Sequence, residues 1–243
     1  LMADIIHGFR TIFPIPLALG STWDEAAVEK MAEISAKEAA VSGLHVTFSP
    51  MVDLVRDPRW GRVMESTGED PLLNSRLAAA MVRGYQGENL REDNWRVAAC
   101  VKHFAAYGGA LAGRDYNTVD MSERQLREMY LPGYKAGLDA GAKLVMTSFN
   151  TVDGIPATGN QWLFIDVLRN EVGFEGVVIS DLGAIKELIP HGVAKDEKQA
   201  AELAIKAGVD IEMMTTCYPD YLKELLEEGR IAETLIDEAV MRI

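Results

Sequence analysis

The segment Gly176-Val-Val-Ile-Ser-Asp181 constrains this chain more than any other stretch. A short β-branched run of this kind reads as a strand buried on both faces, as in parallel sheets. It ends on a carboxylate, and a charge at the edge of an apolar core is costly unless something uses it. In α/β barrels the chemistry sits at the carboxyl ends of the strands. An aspartate there can equally cap a helix starting near Ala184, because Asp is a favoured N-cap. The segment alone leaves both roles open.

The same strand-then-helix rhythm runs along the chain. Candidate strands are Leu1–Ile6, His45–Phe48, Val97–Phe104, Lys143–Phe149, Glu175–Asp181 and Val209–Met213. Between them lie helical stretches, so the fold class is α/β, a (β/α)8 TIM-type barrel. Thr22 followed by Glu25 resembles a capping box, opening a helix that runs to about Ala40. Leu126, Tyr130, Tyr134 and Leu138 recur every four residues and predict one helix face. Further helices fit Pro71–Gly84, Gln161–Asn170, Glu197–Ala207, Tyr218–Glu228 and Ala232–Arg242, and Glu69-Asp70-Pro71 reads as a helix start. Gly43, Gly141, Gly208 and Gly229 stand where helix ends favour glycine. The candidate strands are fewer than a barrel's eight. Irregular segments such as Phe13–Leu19, or sequence before Leu1, are therefore expected to complete it. Opening on Leu1-Met-Ala-Asp-Ile-Ile6, the chain is expected to be a fragment that enters its first strand midway. Residues 1–243 read as one domain.

Composition narrows the function classes. A net charge of −13 argues against nucleic acid, which needs a basic face. Two cysteines, Cys100 and Cys217, imply no disulfide framework. There is no apolar run of membrane-spanning length and no signal-peptide pattern.

Polar residues gather just past the expected strands. Asp4 and His7 follow the first, and the loop Asp53–Arg62 follows the second. Lys102 and His103 end the third, Asn150 follows the fourth, and Asp181 ends the fifth. On a barrel these converge on one rim, which makes a binding site. Carboxylates and cationic side chains together suit a ligand with many hydroxyls. His7 and His103 are isolated, without the spacing of metal ligands, and no cofactor is implied. Lys102 at a strand end also fits a Schiff-base lysine, as in barrel aldolases. Two of the three arginines Arg56, Arg59 and Arg62 are expected to pair with Asp53, Asp57 or Glu65 across a surface loop. Trp60 is expected to pack that loop, and His45 to be structural.

Asp57-Pro-Arg-Trp-Gly-Arg62, Lys102-His-Phe104 and Gly173-Phe-Glu-Gly-Val-Val-Ile-Ser-Asp181 together resemble the N-terminal barrel domain of glycoside hydrolase family 3. The likeness runs the length of the chain and is strongest to the β-glucosidase and β-xylosidase branch, whose members act in the periplasm or outside the cell. It implies a retaining hydrolase of terminal β-linked glucosides or xylosides, working without a cofactor. By position, Asp181 matches the catalytic nucleophile, and Asp4 the carboxylate that binds distal sugar hydroxyls. Arg62, Lys102 and His103 match the basic residues holding the same ring, and Met146 and Phe149 match the pocket wall. The resemblance also implies that the acid/base glutamate comes from a following α/β domain absent from these residues. Leu182 stands where many relatives carry Trp. After Lys102-His-Phe104 the chain reads Ala-Ala-Tyr-Gly108, without the Pro-Gly-His-Gly of the N-acetylhexosaminidase branch. A non-catalytic carbohydrate-binding barrel and a lysine-dependent aldolase-type barrel are the other readings.

Overall fold

The computed structural model describes residues 1–115 and 118–243. Its strands are β1 (Met2–Ala3), β2 (Val46–Thr47), β3 (Ala98–Phe104), β4 (Leu144–Thr147), β5 (Thr151–Val152), β6 (Ile155–Pro156) and β7 (Val177–Ile179). A parallel sheet runs β1-β2-β3-β4-β7, and β5-β6 is a separate antiparallel pair. Val209–Met213, expected as a strand, follows β7 only through a parallel bridge from Ile179 to Ile211. Parallel neighbours joined by helical crossovers define the (β/α) TIM-type barrel class. The strands are mostly shorter than their apolar runs, because pairing, not composition, ends a ladder. Phe13–Leu19 supplies no strand, since Pro16–Gly20 is helix α1.

The other α-helices are α2 (Glu25–Val41), α3 (Pro71–Gln86), α4 (Glu123–Gln125), α5 (Leu131–Asp139), α6 (Glu197–Ala207), α7 (Cys217–Glu227) and α8 (Glu233–Arg242). Leu126–Tyr130 and Trp162–Glu171 are π-helical. Leu126, Tyr130 and Tyr134 are buried, as their four-residue spacing predicts. The cap of α2 is Asp24, whose carboxylate accepts from Ala27 N–H at 3.0 Å. Thr22 instead turns its hydroxyl back to the Leu19 carbonyl at 2.6 Å, so no capping box forms. Asp70 caps α3 by accepting from Leu73 N–H at 2.7 Å. Gly208 ends α6 with φ of +93°, which a side chain would resist.

Strand alternation divides the interior. Ala99, Val101, Val145 and Val178 face outward into the main core against the helices. Val46, Cys100, Leu144, Met146, Val177 and Ile179 face inward and form a second cluster. Continuing the period of two carries Cys100 to Lys102 and Ile179 to Asp181. The inner apolar row therefore ends in charge at the carboxyl rim. Both cysteines are buried free thiols.

Candidate active site

At that rim lies a cavity of about 400 Å³ lined by Asp4, His7, Arg62, Glu65, Lys102 and Asp181 on its polar side. Phe48, Met64, Met146, Leu182 and Met213 supply its apolar side. Charges alternate along one wall. Lys102 Nζ donates to Asp4 Oδ1 at 2.7 Å and lies 4.0 Å from Glu65 Oε2. Arg62 holds Glu65 through two bonds, Nε to Oε1 at 2.6 Å and Nη2 to Oε2 at 2.9 Å. Burial works against the Glu65 carboxylate, yet the Arg62 guanidinium outweighs it and holds the pKa below the usual range. The same pair pushes Arg62 upward despite the desolvation it suffers.

Asp181 is 8% exposed. Its Oδ1 accepts from Leu182 N–H at 2.7 Å, whereas Oδ2 has no hydrogen-bond partner. The helix expected near Ala184 is only a 3₁₀ turn, Lys186–Leu188, so Asp181 caps nothing there. A buried carboxylate oxygen with no donor is costly unless a ligand meets it. His103 Nε2 stands 3.5 Å from that oxygen.

Two expectations change. Phe149 does not line the cavity. It packs behind it, with its ring 6.0 Å from that of Tyr107, because it stands beyond the end of β4, where the alternation that points Met146 inward has stopped. Asp53 is not a surface-loop partner of arginine but a wholly buried acceptor bonded to His103. Arg62 pairs with Glu65 while lining the cavity, one of the two arginine pairings expected of this loop. Arg59 does pair with Asp57 at the surface, at 2.6 Å. Trp60 packs the loop, 2% exposed and donating Nε1–H to Asp115 at 2.6 Å. Lys102 is engaged by Asp4 and Glu65, a hydrogen-bonding setting that lends no support to Schiff-base chemistry. Among the described residues, no group of three or more His, Cys, Asp or Glu side chains is arranged to hold a metal ion.

This architecture and rim are those of a barrel-type glycosidase domain. The chain belongs to glycosyl hydrolase family 3, whose N-terminal domain matches residues 1–243. It is 48% identical over 240 residues to the periplasmic beta-glucosidase of Salmonella typhimurium, covering 99% of this chain and 31% of that protein. A beta-xylosidase of Formosa agariphila is 37% identical over 248 residues, covering 98% and 34% respectively. The beta-glucosidase of Listeria innocua, solved in complex with glucose, superposes with a TM-score of 0.98 at 64% identity, over 99% of this chain and 34% of its own. The chain thus spans about a third of the length of these relatives.

Proposed function

We propose that this domain carries the nucleophile and sugar-binding subsite of a retaining β-glycosidase that releases terminal, non-reducing β-D-glucosyl residues, with xylosyl as the secondary substrate. The observation that carries this reading is the unbonded, buried Oδ2 of Asp181 at a cavity walled by alternating carboxylates and cations. Asp181 Oδ2 attacks the anomeric carbon as the bond to the leaving oxygen breaks, and that oxygen takes a proton from a general acid. Water then cleaves the glycosyl ester, with the same acid acting as base. Asp4, Arg62, Lys102 and His103 hold the ring hydroxyls through bonds that strengthen as positive charge grows on the sugar. Met146 forms the apolar floor.

The proton donor is assigned to a domain outside these residues. Of the cavity carboxyls other than Asp181, Asp4 is bonded to Lys102 and Glu65 to Arg62. The name of the Salmonella relative supports a site of action in the periplasm or outside the cell, and among the described residues no helix is long and apolar enough to cross a membrane. The names of the Listeria and Salmonella relatives favour glucosides over xylosides.

The test is intact mass and peptide mapping after incubation with a dinitrophenyl 2-deoxy-2-fluoro-β-glucoside, whose leaving group needs no acid. One sugar on the Asp181 peptide is expected. Folded protein that stays unlabelled would favour a binding-only barrel.

A further inference from the structure

Behind the rim, Asp53 has its carboxylate completely enclosed, at 0% exposure. Every approach to it is a donor. Oδ2 accepts from His103 N–H at 2.9 Å and from the ring Nδ1 at 2.7 Å. Oδ1 accepts from Tyr107 N–H at 3.1 Å and lies 2.7 Å from the Tyr134 hydroxyl. The Tyr107 turn comes this close because residue 108 is glycine, where a Cβ would meet the Leu54 carbonyl oxygen at 2.3 Å. Burial alone would raise the Asp53 pKa, but the bonds from His103 and Tyr134 win and hold it below the usual range.

An ionised carboxylate only accepts, so the nitrogen facing it must carry the proton. That assigns the His103 proton to Nδ1 and fixes the ring plane, which the edge of Tyr107 also supports at 5.3 Å between centroids. The other ring nitrogen faces Asp181 Oδ2 at 3.5 Å, and in the neutral ring with Nδ1 protonated it carries no proton. The opposite tautomer would turn an N–H onto Oδ2 and tie up the lone pair needed for attack.

We propose that Asp53 is a positioning residue which, by holding Nδ1–H of His103, keeps Nε2 bare beside the nucleophile, so that a sugar hydroxyl donates to Nε2 and Asp181 Oδ2 stays free. The role of the sugar rests on the glycosidase reading; the tautomer does not. Asp53 touches no reacting atom and acts wholly through His103.

Nitrogen NMR of the chain labelled with ¹⁵N-histidine, with His103 identified by its loss in His103→Ala, tests the tautomer directly. The expected signal is Nδ1 protonated and Nε2 bare. A proton on Nε2, in either the other tautomer or the imidazolium, overturns the proposal, and this spectrum stands even if Asp181 takes no sugar label. Asp53→Asn can donate its amide to Nδ1, and is expected to move the proton to Nε2 and slow labelling of Asp181 about 100-fold. The double variant Asp53→Asn/His103→Ala is expected to label no slower than His103→Ala. Additive losses in that cycle would mean that Asp53 acts through general structure, and would also overturn it. If Asp53→Asn does not fold, the wild-type spectrum decides.

Discussion

Asp210 and Asp181 lie at opposite ends of adjacent segments of the sheet, and they are buried alike, at 7% and 8% exposure. Asp210 is saturated. Its Oδ2 accepts from Val178 N–H at 2.8 Å and Arg169 Nη2 at 3.1 Å, and its Oδ1 from Arg242 Nη1 at 2.8 Å. Those bonds tie β7 to the Trp162–Glu171 helix and to α8. Asp181 has one oxygen satisfied by its neighbouring backbone and the other by nothing. Equal burial with unequal bonding separates a carboxylate that ties elements of the barrel together from one with an oxygen left open at the cavity.

The comparison is broken most sharply by substituting each acid. Asp181→Asn is expected to abolish sugar labelling, a loss of roughly 10⁴–10⁶-fold, while its urea midpoint stays level or rises. Asp210→Ala is expected to cost about 3–5 kcal/mol of stability, because two guanidinium groups lose a buried partner. Whatever remains folded should still label at Asp181. Loss of labelling in folded Asp210→Ala protein would erase the distinction between the two ends.

Acid sensitivity sharpens the comparison at the site end. Asp53 and Glu65 have folded pKa values below their usual range, so the unfolded chain binds more protons in acid. The stability they supply is therefore fully present above their unfolded values, near about 4, and disappears as pH falls through the folded ones. Urea midpoints measured from neutral pH downward should fall in that window, and less so in Asp53→Asn. A slope unchanged by that substitution would remove Asp53 from the acid response.

The smallest effect concerns Glu187, three residues past the Gly183–Ala184 turn, whose carboxyl is pushed up by partial burial and then by the Asp181 charge. A raised carboxyl pKa is the character a general acid needs. With the donor assigned elsewhere, Glu187→Gln should leave the ratio of rates on phenyl and dinitrophenyl β-glucosides unchanged. A loss of about 10²-fold or more confined to the phenyl glycoside would bring the acid into this domain.

The legible parts of the molecule are those whose causes are local. Glu197–Ala207 is read to the residue, since the periodicity of its apolar face and Gly208 are adjacent in sequence. The strand Ala98–Phe104 differs from its apolar run by a single residue. Asp4, Arg62, Lys102, Met146 and Asp181 line one cavity, with His103 facing Asp181, because strand ends of parallel units share a rim. The misreadings were of pairings. Thr22 lost the cap of α2 to Asp24 because the nearer carboxylate reaches the Ala27 N–H. Asp53 read as a loop acid because its partners His103 and Tyr134 are 50 and 81 positions away. Phe149 looked like pocket wall until the chain beyond β4 turned it behind Tyr107.

From sequence alone came the barrel class, the order of its elements and the end of the sheet that carries charge. All three follow from periodicities of two and 3.6 residues and from what stands just after a strand. Only the tertiary structure decided which carboxylates are bonded and which are left open. That outcome depends on donors brought within about 3 Å by packing, and sequence spacing does not encode such distances.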